Sequence, residues 1–161
     1  MSDLLAWIET SALGHAMRGS GVWAYAVVNL VHILGVATLF GSVLVIDLRL
    51  LGAWRRIRLA DLAGPTVPVA TAGFIAAAMS GACLISTNAT QYVGNPFLLI
   101  KFPAMALGLV NVAILRALPA WKERTTREPT AREQRGLAIV GAVSLAAWLT
   151  TITAGRMIGY W

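Results

Sequence analysis

Charged residues are scarce in this chain. They make up 12% of 161 residues, against 58% hydrophobic. Ordinary soluble domains are about 25% charged and about 45–50% apolar. A soluble protein of this length cannot bury so large an apolar fraction and still show the charge its surface needs. The shortage excludes a soluble globular enzyme, and the apolar excess excludes disorder. Cysteine is nearly absent too. Cys83 stands alone, so neither a disulfide framework nor a thiolate zinc site can be built. There are seven acidic residues and two histidines. No Ser-His-Asp set, HExxH, glycine-rich phosphate loop or acidic pair occurs, which leaves hydrolase, kinase and nucleotide-binding chemistry without residues. Spans interrupted by Gly or Pro in matching halves, a pointer to transporter sites, are also lacking.

What is present is long apolar sequence, with a mean hydropathy of +0.72. Four stretches stand out, at about residues 22–46, 67–86, 96–118 and 136–158. Each holds roughly the 20 residues a helix needs to cross the hydrocarbon core. They predict an all-α protein, an integral membrane four-helix bundle forming one transmembrane domain over 1–161 in contact with the lipid bilayer. Small residues such as AAAMSGA (Ala76 to Ala82) let helix backbones approach closely. Residues 2–17 predict an interfacial amphipathic helix, with Leu4, Leu5, Ile8, Ala12 and His15 on one face and Ser2 as N-cap. Gly19-Ser-Gly21 is the hinge into the first span. With Asp3 and Glu9 and no basic n-region, this segment does not read as a cleaved signal peptide.

The net charge of +6 needs no nucleic acid to explain it. Ten of the 13 basic residues lie in segments 47–66 and 116–135, leaving Arg18, Lys101 and Arg156 towards the other side. The positive-inside rule then places both termini outside, in the periplasm for a bacterial inner membrane. Trp23, Tyr25, Tyr92, Tyr160 and Trp161 form the expected outer aromatic belt, with Trp54 and Trp121 at the inner face.

Polar residues inside a membrane span cost free energy, so each is a functional candidate. His32 lies near the membrane middle, about 15 Å below the outer end of the first span, with Asn29 and Gly35 on the same helix face. It reads either as an axial ligand to haem iron or another metal, or as a neutral ring hydrogen-bonded between helices. His15 reads as a second metal ligand if the interfacial helix folds back, or as a headgroup-facing ring. Lys101 and Arg156 sit about one turn from the outer ends of their spans and suit two haem propionates, with snorkelling as the alternative. Lys101 shares a face with Met105, Gly108 and Asn111. Asp47, next to Arg49, pairs on this reading with Arg116 as a structural clamp. Met79 and Cys83 are spaced as soft copper(I) ligands or as plain packing residues.

The strings VHILG (Val31 to Gly35), DLRLLG (Asp47 to Gly52), NPFLLIK (Asn95 to Lys101) and GRMIGY (Gly155 to Tyr160) resemble a family of small bacterial four-span membrane proteins of unknown function. The resemblance runs from Trp7 to Tyr160. It implies the four-span fold and an importance for His32, Asp47, Arg49, Lys101 and Arg156. More loosely, four spans with a buried histidine are similar to b-type cytochromes and copper-resistance membrane proteins. Two histidines allow at most one bis-histidine haem per chain.

The leading expectation is a haem b protein in which His32 ligates the iron. His15, solvent or a diatomic takes the sixth position, and Arg156 and Lys101, with Asn29 near the ring, complete the site. Its role is electron transfer or sensing with a redox partner. The alternatives are a copper-binding membrane protein and a cofactor-free assembly or scaffold subunit. Four spans enclose little interior, so a homo-oligomer is expected in each case.

Overall fold

The computed structural model of the protein describes residues 2–161, and no strand occurs among them. Helix α1 covers Ser2–Glu9, α2 Ala12–Gly19, α3 Gly21–Leu51 and α4 Leu59–Thr87. A 3-10 turn at Ala89–Tyr92 leads to α5, Pro96–Ala117. The short α6, Pro119–Lys122, precedes α7, Ala131–Met157, and a closing 3-10 turn spans Ile158–Tyr160. Among the described residues, α3, α4, α5 and the segment Ala131–Tyr160 are long and apolar enough to cross a membrane. Large apolar side chains are exposed on all four, including Ile33 and Leu34, Ile75 and Met79, Leu107 and Val110, and Ile139 and Leu149. That is the pattern lipid-facing helices require, and water would not tolerate it.

Local chemistry explains the helix ends. Thr130 caps α7 in a reciprocal box with Glu133. Pro119 opens α6 and Pro96 opens α5, positions where a missing N–H costs nothing. The helices outrun the apolar stretches. Helix α4 begins at Leu59 and carries Pro65 and Pro68 inside it, with the Thr66 hydroxyl donating back to the Leu62 carbonyl. Membrane helices tolerate such prolines because hydroxyls and neighbours re-satisfy the backbone. The amphipathic segment is two helices rather than one. Ser11 turns out of α1 and its side chain accepts from the Gly14 amide, capping α2.

The chain divides into two compact units, Met1–Leu39 with Thr71–Pro96, and Phe40–Ala70 with Phe97–Trp161. In the first unit, α3 and α4 meet backbone to backbone. A Cβ on Gly73 would fall 2.6 Å from the Leu39 nitrogen, and one on Gly35 would fall 2.7 Å from the Ala77 nitrogen. Only glycine permits that approach. Arg18 donates to the Thr87 and Ser86 carbonyls at the end of α4. Glu9 accepts from the amide and hydroxyl of Thr90, both at 2.7 Å, which ties α1 to the 3-10 turn. The second unit has a conventional core of Ile46, Leu50, Leu59, Ala63, Leu115, Ala120, Trp121, Leu137 and Val140. Its turn after α3 uses Gly52 at φ +110°, a conformation that leaves room for the Arg55 guanidinium to fold over it.

Candidate functional site

His32 sits in the first unit on the α3 face that meets α4. Its Nδ1 is 2.9 Å from the Ala77 carbonyl and 3.2 Å from the Ser80 hydroxyl. A carbonyl can only accept, so Nδ1 carries the proton and the lone pair of the neutral ring falls on Nε2. The Ser80 hydroxyl itself donates to the Ala76 carbonyl at 2.5 Å. The ring is half-buried and packs on Gly81, where a Cβ would stand 3.0 Å from its Cε1. Helix α4 therefore offers the imidazole an acceptor, a hydroxyl and a flat bare patch within five residues. Asn29, one turn earlier on α3, is exposed.

His15 is exposed on α2. Arg18 donates to its Nδ1 at 3.4 Å, which puts the ring proton on Nε2, the opposite tautomer to His32. Its neighbour Gly14 packs on the Ser86 carbonyl. Along α4, His15 thus lies near Ser86, while His32 lies near Ala77 to Gly81. Met79 is 68% exposed, and Cys83 is half-buried. Among the described residues no group of three or more His, Cys, Asp or Glu side chains could hold a metal ion.

The other candidates belong to the second unit. The Lys101 side chain is half-buried and lies along Gly155, about 3.5 Å from where a Cβ would be. Arg156 is exposed, bonds the Tyr160 hydroxyl and stacks over that ring at 4.8 Å. Asn111 donates to the Val140 carbonyl at 3.0 Å. Asp47 is 2% exposed. Ser144 hydrogen-bonds it, and its Oδ2 has no partner among the described residues. The expected Asp47–Arg116 clamp does not form, since Arg116 is exposed and the buried carboxylate is met by a hydroxyl instead. Arg49 is the buried cation, and it donates to the Ile57 carbonyl at 2.9 Å and to Glu128 at 3.2 Å.

A family model described as a family of unknown function, DUF6644, matches residues 4–161. The chain belongs to the DUF6644 family. No curated protein and no solved structure matches it. In this DUF6644 chain two of the four strings that carry the resemblance hold buried polar residues. DLRLLG contains Asp47, Arg49 and Leu50, and NPFLLIK begins at Asn95, all nearly or fully buried. Sequence reasoning missed Ser80, Ser144, Gln134 and Glu128. Ser80 had a signal, since it sits within the small-residue run expected to face another helix. Glu128 had none, because it lies 79 residues from Arg49 in an otherwise ordinary polar loop.

Proposed function

We propose that the protein is a multi-pass membrane protein that binds haem b through His32 and serves in electron transfer or sensing. The observation that supports this reading most is the bond from His32 Nδ1 to the Ala77 carbonyl. Metal-ligating histidines characteristically donate their second ring nitrogen to a carbonyl or carboxylate, which fixes the tautomer and raises ligand basicity. A polar ring in a membrane span is also costly unless it serves a purpose. Haem at this position would supply one-electron chemistry. The chain's own residues hold the ring against Gly81 and keep Nδ1 protonated through the Ala77 carbonyl. His15, solvent or a diatomic would serve as the second ligand, and His15 could do so only after Arg18 leaves Nδ1. Lys101 and Arg156 belong to the other unit, and this reading does not need them.

The test is the visible spectrum of protein purified in mild detergent with haem supplied. A Soret band in the wild type, lost in His32→Ala, is the expected result. A colourless preparation would remove the reading. Copper content that falls in the same variant would point to the copper alternative.

A second reading is favoured by the same unit. His32 joins α3 to α4 beside the Gly35–Gly73 contact, which suits a cofactor-free scaffold subunit. A colourless, metal-free protein that co-purifies with a larger complex is its mark. In either case the Arg-rich loops favour both termini outside a bacterial inner membrane, and the small-residue faces favour a homo-oligomer.

A further inference from the structure

We propose that the turn after α3 and the first turn of α7 form a binding site for a phosphate group, that of an anionic phospholipid headgroup. A cavity of about 250 Å³ opens here, lined by Arg49, Arg55, Glu128, Pro129, Ala131 and Gln134. Two guanidiniums face one carboxylate, so the lining is positive. The Arg49 side chain is only 4% exposed, and its position is fixed by the Ile57 carbonyl and Glu128. Glu128 is itself shared with Arg58 at 3.7 Å, which leaves the local balance cationic. Gln134 is anchored by donating to the Leu50 carbonyl at 2.5 Å. The first amides of a helix point out of its end, and its dipole adds partial positive charge. Here that end belongs to the long α7, whose Thr130–Glu133 box takes the third amide and leaves the first two, and whose Glu133 carboxylate is paired with Arg127. The pieces are a buried, pre-set guanidinium, an exposed one and a helix start around one opening, which is how proteins hold phosphate.

The surroundings select a lipid over a free anion. Leu51, Trp54 and Ile57 are 40%, 50% and 43% exposed beside Arg55. Exposed tryptophan and aliphatic side chains next to arginines suit the headgroup level of a bilayer. Arg55, Arg56 and Arg58 crowd the same turn, and basic pockets at the ends of membrane helices recognise anionic headgroups. The site owes nothing to His32, so it stands or falls apart from the haem reading.

The full chain, purified in mild detergent, is offered phosphatidylglycerol or phosphatidylcholine with identical acyl chains, and retained lipid is counted by native mass spectrometry. Phosphatidylglycerol should be retained preferentially, less so at high salt. Arg55→Gln, a change at an exposed position, should weaken that retention about fivefold and leave phosphatidylcholine unaffected. Equal retention of the two lipids, or an Arg55→Gln protein that keeps phosphatidylglycerol as well as the wild type, overturns the site. Displacement of the lipid by inorganic phosphate overturns the lipid assignment.

Discussion

The two units solve the problem of polar groups in a membrane in different ways. In the first, the polar groups held within the fold are uncharged: the half-buried His32 ring, the Ser80 and Ser86 hydroxyls, the Asn95 side chain and backbone carbonyls, set beside a contact made of glycine. Full charges appear at its edge, where Arg18 is exposed and Glu9 half-buried. In the second, Asp47 and Arg49 are buried at 2% and 3% exposure, and glycines mostly meet side chains, as Gly108 meets Trp148, with Gly141 on the Asp47 carbonyl as the exception. A contact between backbones is sensitive to volume, because nothing can move aside. A buried charge is sensitive to the loss of its partner, because its desolvation is left uncompensated. The two units should therefore fail by different substitutions.

The largest effect is expected from volume added to the first unit. Gly73→Leu places a side chain where even a Cβ would lie 2.6 Å from a backbone nitrogen. It should cost about 3 kcal/mol, as overpacking does at its upper range, and lower the detergent Tm more than the same change at Gly64. Gly64 has open space around it and serves as the control. If both variants melt alike, the volume-sensitive contact does not exist. Next comes charge removed from the second unit. Glu128→Gln leaves the buried Arg49 guanidinium without its anion and should cost about 2 kcal/mol. The figure is held below that of a fully buried pair because Glu128 is 44% exposed. Arg127→Gln would break two pairs at the surface, with Glu123 and Glu133, and should change less. An equal loss from Glu128 and Arg127 would erase the contrast between buried and surface charge.

His32 probes the first unit at lower cost. Interhelical hydrogen bonds in membranes are worth about 1 kcal/mol, so Ser80→Ala should shift Tm slightly and leave any Soret band in place. His32→Ala should cost a similar amount and, on the haem reading, remove the band. The contrast between these variants separates a ring that binds metal from one that joins helices. How far such contacts could be read in advance depends on their range. The four long helices were legible because hydrocarbon demands about 20 apolar residues at a stretch. Their ends were less so, since α3 continues through Asp47 and Arg49 to Leu51, where Arg49 finds the Ile57 carbonyl and Glu128 beyond the apolar run. The break at Thr10 and Ser11 was hidden by an amphipathic period that crosses it, although a serine three residues before Gly14 is a local capping signal. His32 was legible as a costly ring, but its partner Ala77 acts through a backbone carbonyl, which no side-chain pattern encodes. The Arg49–Glu128 pair joins residues 79 apart, and one sequence carries no periodicity over that range.

The smallest effect belongs to the charged edge of the first unit. The Thr90 amide, then its hydroxyl, hold the Glu9 carboxyl below its ordinary value of 4.5. Because the folded value is the lower one, this contact stabilises the docked α1 fully above the unfolded value, and the contribution fades as pH falls through the folded value. Glu9 is half-buried and ties only α1 to the 3-10 turn, so the effect is local: loosening of residues 2–9, with no global unfolding. Hydrogen-exchange protection factors for α1 and the Thr90 amide should be level near neutral pH and drop below about pH 4. Glu9→Gln keeps an acceptor oxygen but loses the titration, so its protection should be lower at neutral pH and flat across the same range. Parallel pH profiles for the two proteins would show that α1 is held by its buried Leu5 rather than by Glu9, and that charge matters in the second unit alone.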